Sequence, residues 1–362
     1  MSLNSNLLEN HTPTGREEAW RFTPLKRLGG LHDGSASIAE RASLSLVDNA
    51  PAGVEFARRE ISALAPSDDA IVTRIRNHTA EAAVLTITQE IAEPIYLGRT
   101  SFGFDSAELS RVRIHLTPHA RATVVLDNAG DALLGEDLEI HCEPGSHLTF
   151  IAVNNFSRSS IYAARHHAVI DKDATFNSIV VTVGGDVVRL LPTVEFAGPG
   201  AQADLQGVYL ATAGQFFEHR IHVDHCVPSA KSNVNYKGAL AGRDAHTVWI
   251  GDVFIRAAAE GTDTYELNRN LLLTDGARAD SVPNLEIETG EIVGAGHAST
   301  TGRFDDEHLF YLMSRGINEA DARRLVVRGF FNEIISRIGI EDLQNRLMTQ
   351  IDEELDKAAH HG

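Results

Sequence analysis

The sequence is poor in cysteine and lacks any stretch that could cross a membrane. Its 362 residues include two cysteines, Cys142 and Cys226, which lie far apart and form no C-x-x-C motif. A disulfide framework and a cluster site built from this chain's cysteines alone are therefore excluded. No apolar run approaches the roughly 20 residues of a membrane-spanning helix, and residues 1–10 lack the basic and apolar regions of an export signal. We expect a cytoplasmic protein.

Positive charge is also scarce. Thirty-two lysines and arginines stand against 50 acidic residues, and the formal net charge is -18. A chain with this charge repels phosphate groups, so neither nucleic acid nor a membrane surface is an expected partner. Walker and dinucleotide-binding glycine motifs are absent as well.

What the sequence does contain is a long region, residues 79–302, in which short runs alternate between apolar and polar residues and predict β-strands. Many strands follow a cue of small residues. These cues begin at Ala120, Gly145, Asp173, Gly200, Ser229 and Gly276. The first five recur at intervals of about 27 residues, which is typical of the stacked coils of a β-solenoid. A β-sandwich or double-stranded barrel also has many short strands and stays possible from the pattern alone.

Helical patterns are predicted at both ends of this core. Residues 1–78 form a predicted N-terminal helical segment, with helical spacing at 17–20, 38–46 and 54–64. Residues 303–362 form a predicted C-terminal helical domain. Its first helix is expected to begin at Asp305 and Asp306. Two further helices are expected over 318–338 and 341–361. Because an open solenoid exposes unpaired backbone groups at its ends, we expect these helices to cover them.

Large apolar side chains in these end segments allow two interpretations. Trp20 and Phe22 either pack on the chain's own core, as large aromatic residues usually do, or anchor a partner. The helix predicted over 318–338 carries four candidate partner-binding residues, Leu325, Phe330, Phe331 and Ile334. The adjacent phenylalanines cannot face the same way, so one ring should remain available to a partner.

A histidine-rich run at residues 217–226 allows a metal hypothesis. Strand alternation places His222, Asp224 and Cys226 on one face, where they could form a cupin-like metal site. A polar face exposed to solvent is the more common outcome of such a pattern. The histidine next to Cys142, His141, is interpreted as an isolated polar residue.

Another histidine, His297, lies in a passage of small residues, 294–302, whose side chains cannot cover its imidazole. It is either a hydrogen-bonded turn residue or a ligand presented to a partner. Three segments around it, 284–287, 296–302 and 309–317, resemble the C-terminal signature of the SufB/SufD family, and 18–25 resembles the same family's N-terminal motif. These proteins are the paired scaffold subunits of the SUF iron-sulfur cluster assembly system.

The resemblance spans nearly the whole chain and implies a mainly β fold, with a right-handed parallel β-helix core flanked by helical segments. It implies a non-catalytic scaffold that pairs with a SufB-like subunit through its core and docks a SufC-like ATPase through its C-terminal helices. That partner, and not this chain, would hydrolyse ATP.

The resemblance also implies that His297 is a ligand to a nascent iron-sulfur cluster, which is transient and shared with the partner. Replacing a thiolate by a neutral imidazole removes negative charge and weakens the hold on a cluster that must be passed on. SufB-type chains carry glutamate after this histidine. Here Ala298 follows it, so the chain is similar to the SufD branch. Some SufD-type chains have a cysteine two residues before it, but here Ala295 stands there, so the role rests on His297 alone.

Two other functions stay open from the residues alone. One is the cupin-like metalloenzyme, and the other is a carbohydrate-active β-helix of the pectate lyase kind, for which no acidic cleft can be assigned. The sequence decides neither flavin binding, nor the choice between monomer and homodimer in isolation, nor the type of cluster.

Overall fold

The computed structural model describes residues 11–39, 43–99, 103–303 and 306–360. The strands are β1 (Leu44–Leu46), β2 (Val54–Glu60), β3 (Glu81–Ile87), β4 (Ile95–Arg99), β5 (Glu108–Leu116), β6 (Arg121–Gly130), β7 (Leu133–Cys142), β8 (His147–Phe156), β9 (Ile161–Ile170), β10 (Thr175–Thr182), β11 (Val187–Phe196), β12 (Gln202–Ala211), β13 (Phe216–His225), β14 (Lys231–Leu240), β15 (His246–Ile255), β16 (Asp263–Leu272), β17 (Arg278–Ile287) and β18 (Gly294–Arg303). The helices are α1 (Ala70–His78), α2 (Asp306–Ser314), α3 (Glu319–Ile335) and α4 (Glu341–His360), with 3-10 turns at Glu18–Trp20, Leu25–Arg27 and Ser336–Ile338.

The strands from β3 to β18 form a β-solenoid of two parallel sheets. Sheet A contains the even-numbered strands from β4 to β18, and sheet B the odd-numbered strands from β3 to β17. The chain alternates between the sheets, so each of about eight coils gives one strand to each. The predicted solenoid core is confirmed, and the sandwich and barrel alternatives are excluded.

The small-residue cues mark one corner of the coils. Residues with left-handed backbone lie there one above another, and glycine or a short polar side chain tolerates this conformation best. They are His119, Gly145, Asp173, Gly200 and Ser229, with φ between 56° and 75°. The N-H of one turn donates to the carbonyl of the next coil, as Gly145 does to Lys172 at 2.9 Å. The sixth cue, at Gly276, lies at the opposite corner, between β16 and β17.

The N-terminal segment differs from its prediction. The helical patterns at 38–46 and 54–64 are wrong, because β1 and β2 lie there and pair antiparallel with β4 and β3. Val54 and Phe56 alternate along β2 and pack against the solenoid core, so tertiary pairing overrides local helical spacing. The helix is α1 instead, whose N-cap residue Asp69 accepts hydrogen bonds from two backbone N-H groups.

The helices cover the sides of the solenoid, so the expectation that they cover its ends is wrong. Helices α3 and α4 pack on the outer face of sheet A. Helix α1 and Trp20, which is 4% exposed, pack on the outer face of sheet B. Trp20 therefore belongs to the chain's own core. In the last coil, formed by β17 and β18, no residue is buried. None of the described helices is both long enough and apolar enough to span a membrane.

Candidate functional site

His297 lies on the last strand of the solenoid. The small-residue passage around it is not a loop, because Gly294–Arg303 pairs residue by residue with β16 as strand β18. The register places His297 beside Glu266, Glu266 beside Val234, and Val234 beside Leu205. Both Val234 and Leu205 are buried inside the coils. His297 therefore continues an inward-facing row of side chains to the open end of the solenoid, where 41% of its side chain is exposed.

The neighbour of His297, Glu266, is a buried acid without a partner for either oxygen. Its side chain is 1% exposed, and neither carboxylate oxygen has a hydrogen-bond partner among the described residues. Burial, with a smaller contribution from the charge of Asp252, raises the pKa of Glu266 to about 8. The Nδ1 atom of His297 lies 3.6 Å from Oε1 of Glu266. An imidazole and a carboxyl group thus face each other at the mouth of the solenoid.

The space for Glu266 exists because residue 251 is a glycine. A Cβ atom there would lie 2.2 Å from Oε2 of Glu266 and 2.5 Å from the ring of Trp249. Trp249 is fully buried, and its indole Nε1 has no hydrogen-bond partner in the described part of the chain. The last buried layer of the lumen therefore contains an indole and a carboxyl group directly behind the imidazole.

Sequence reasoning missed Glu266 because β16 reverses the usual burial pattern of a strand, with polar side chains inside and apolar ones outside. Its inward positions are Thr264, Glu266, Asn268 and Asn270, all buried. Its outward positions include Leu267 and Leu271, which a hydrophobic pattern would assign to the core. Four polar residues at alternating positions were the available signal. Such a row becomes acceptable at the end of a coil stack, where the lumen approaches solvent.

Comparison with known proteins identifies the family of the chain. Residues 100–330 match the family described as SUF system FeS cluster assembly, SufBD core domain. The chain belongs to the SufBD family. An iron-sulfur cluster assembly SufBD family protein of Mycobacterium tuberculosis is 46% identical over 355 residues, which cover 95% of this chain and 89% of that protein. The iron-sulfur cluster assembly protein SufD of Escherichia coli is 26% identical over 385 residues, which cover 96% and 90%. The family resemblance carried by the short motifs is confirmed, and the protein is an iron-sulfur cluster assembly protein.

The three residues of the cupin-like hypothesis are committed to other contacts in this SufBD family chain. Both carboxylate oxygens of Asp224 accept from Arg256, at 2.9 and 3.0 Å. The thiol of Cys226 donates to the carbonyl of Phe196 at 2.8 Å, and burial raises its pKa. His222 packs against the ring of Phe254. Because Asp224 is paired with Arg256 and the raised pKa keeps the Cys226 thiol protonated, these three residues do not form a set of free metal ligands.

The candidate partner-binding residues of helix α3 divide into two groups. Phe331 and Ile334 are fully buried against sheet A. They belong to the chain's own core, so the prediction that they lie on a partner-binding surface is wrong. Leu325 is 50% exposed, and Phe330 is half-buried with its ring 4.9 Å from Nζ of Lys237. One of the two adjacent rings thus faces inward, and the other reaches the surface.

Helix α2, which packs against α3, also carries exposed apolar side chains. Phe310 is 74% exposed, Tyr311 56% and Met313 45%. We call Phe310, Tyr311, Met313 and Leu325 the α2–α3 surface. These four exposed side chains thus lie on two helices that contact each other.

Proposed function

We propose that this SufBD family chain is a SufD-type scaffold subunit of a cytoplasmic SUF complex and has no catalytic activity of its own. It pairs with a SufB-like subunit through the last coil of the solenoid and contributes His297 to a nascent iron-sulfur cluster. The observation that supports this most is the last coil itself, which the described residues leave without a buried position and which carries a half-exposed imidazole on its final strand.

Strand β18 offers a suitable edge for a partner strand. It is ten residues long, and from Gly294 to Gly302 it has neither proline nor a charged side chain. Natural edge strands usually carry such residues to prevent pairing. The neighbouring β17 carries Pro283, which lacks a backbone donor. A strand added to β18 would lie directly beside His297. The same edge explains how two copies of this chain could pair when the partner is missing.

The cysteines of this chain cannot complete a cluster at His297. Burial raises the pKa of Cys142 to about 12, and its side chain is fully buried inside the coils. The thiol of Cys226 is engaged with a backbone carbonyl. A cluster needs thiolate ligands, so the partner subunit supplies the sulfur ligands and this chain supplies a neutral nitrogen ligand. The Nδ1 atom of the ring lies 3.6 Å from Oε1 of Glu266, and we propose that Nε2 binds the cargo.

The α2–α3 surface is the proposed docking site of a SufC-like ATPase. These helices follow β18 directly in the chain. A movement of α2 on ATP hydrolysis by the partner would therefore be transmitted to the edge that carries His297. We propose that this movement opens the subunit interface and releases the cluster.

The proposed ligand role is tested by reconstituting the three-subunit complex with His297→Ala. We expect cluster formation, followed by visible absorption, to fall at least tenfold while the complex still elutes as one species. A matched control is His246→Ala, because His246 is also half-buried and pairs with Asp280 at 2.7 Å but lies on β15. Unchanged cluster yield in the His297 variant would refute the ligand role.

ATPase docking is tested separately with Leu325→Asp and Phe310→Asp. A charge on an apolar contact surface should weaken binding of the ATPase by at least about tenfold. Val47→Asp serves as the control, since Val47 is 60% exposed and precedes the solenoid. Full ATPase binding by both helix variants would remove the docking proposal and leave the role of His297 intact.

A further inference from the structure

A second group of potential metal ligands lies on the outer face of sheet B, far from the open end. His115 on β5 stands beside His141 on β7. Glu143 follows β7 and Asp171 follows β9. Five coils separate His141 from His297, which at a strand spacing of about 4.8 Å is roughly 24 Å along the solenoid axis.

The four side chains form two pairs and one stack. Nε2 of His115 lies 2.6 Å from Oε1 of Glu143, and Nε2 of His141 lies 3.0 Å from Oδ2 of Asp171. The two imidazole rings are stacked, with centroids 5.4 Å apart and planes inclined by 11°. Ligand atoms of His115, His141 and Glu143 all lie within 4.8 Å of one another. The parallel ladder fixes the backbone under each of them, so the group is largely preorganised.

Two histidines and two carboxylates that contact one another bring the nitrogen and oxygen ligands of a divalent cation to one place on the sheet. A divalent cation would bind the imidazole nitrogens, and the two carboxylates would balance its charge. Zinc-ligand bonds of about 2.0–2.1 Å bring ligand atoms to roughly 3.3 Å of one another. Side-chain movements of an ångström or so would therefore bring the ligand atoms to the separation found around a bound ion.

We propose that His115, His141 and Glu143 bind a borderline divalent transition-metal ion of the Zn2+ class, with Asp171 orienting the ring of His141. Imidazole nitrogens select such ions over Mg2+ and Ca2+, which prefer oxygen ligands. A carboxylate on the far nitrogen of a ligating histidine is a common support for this kind of site. The bound ion ties β5 and β7 together across two coils and is independent of the cluster proposed at His297.

The test uses the full-length protein in a His297→Ala background, so that the cluster ligand does not contribute. After chelator treatment, Zn2+ and Mg2+ are titrated separately by calorimetry into this parent and into His115→Gln and His141→Gln variants. His246→Gln is the matched control, because its histidine is similarly exposed and also pairs with one carboxylate but has no second histidine beside it. Circular dichroism and the unfolding temperature check that each variant is folded.

We expect one equivalent of Zn2+ to bind the parent and the His246 variant alike. Each of the other two variants should lose at least about tenfold in affinity, and Mg2+ should not bind measurably. Substitution by Co2+ should give the visible spectrum of a nitrogen-ligated ion, lost in the His141 variant. No Zn2+ binding by the parent, or equal binding by all variants, would overturn the proposal.

Discussion

Replacing Glu266 by glutamine should remove a pH-dependent destabilisation of the folded protein. Burial raises the pKa of this carboxyl from 4.5 to about 8, so the folded state keeps a proton that the unfolded state gives up. Stability is therefore unaffected below pH 4.5 and falls as pH rises toward 8. At 1.36 kcal/mol per pKa unit, a rise from 4.5 to about 8 costs the folded state about 5 kcal/mol once the group is ionised.

The glutamine variant has no charge to bury, but its amide lacks a partner and costs about 1–3 kcal/mol at every pH. We therefore expect the variant to be slightly less stable than the parent near pH 5. At pH 9 it should be more stable by about 2–4 kcal/mol, the difference between the two costs. Changes from titratable groups that do not contact residue 266 occur in both proteins and cancel in the comparison.

The measurement is urea unfolding of both proteins at pH 5, 7 and 9, with Glu286→Gln as the control. Glu286 is exposed on the neighbouring strand β17, so its substitution should change stability by less than about 0.5 kcal/mol at each pH. If the gap between parent and Glu266→Gln is the same at pH 5 and pH 9, the carboxyl is not desolvated. The last layer of the lumen would then be open to water, and the reasoning on His297 and Glu266 would fail.

Three further predictions follow from burial. Phe331→Ala should destabilise the protein by about 3–5 kcal/mol in urea unfolding, whereas Leu325→Ala should cost less than about 0.5 kcal/mol; equal losses would contradict the assignment of one residue to the core and the other to the surface. Arg99→Met should cost about 3–5 kcal/mol in the same assay, because Arg99 pairs with the fully buried Glu136, and a smaller loss would mean that the acid finds another partner. Burial lowers the pKa of His219 to about 3, so stability should fall as pH drops from 6.5 toward 3 and fall less steeply in His219→Gln; identical pH profiles would refute this.

The solenoid core was predictable because its turns impose a visible constraint on the sequence. At one corner of most coils the backbone is left-handed and the next residue is small and buried, as at Asp173 and Ala174. That requirement recurs along the stack and gives the spacing of about 27 residues. The antiparallel strands β1 and β2 carry no such constraint. They occur once and pair with strands elsewhere in the chain, and their short apolar runs fit the period of a helix as well as that of a strand.

The two residues of the candidate site, His297 and Glu266, also differ in whether the sequence predicts them. His297 was visible because it stands among residues too small to cover it, and because its surroundings resemble a family signature. Glu266 lies 31 positions earlier and meets it only through the parallel register of β16 and β18. Single-sequence reasoning has no access to that register. His115, His141 and Glu143 were missed for the same reason, since adjacent coils bring them together.

A binding site that is incomplete within one chain suits an assembly protein that must accept and then release its cargo. A complete binding site within one chain would hold a cluster with thiolates of its own, and release would require local unfolding. In the proposed complex the imidazole and Glu266 lie on one subunit, while this chain's own thiols are buried or engaged. A site shared in this way would form and dissolve by opening the interface, without disturbing the buried core. An exposed edge such as β18 invites wrong pairing, and in the proposed complex the partner would cover that edge.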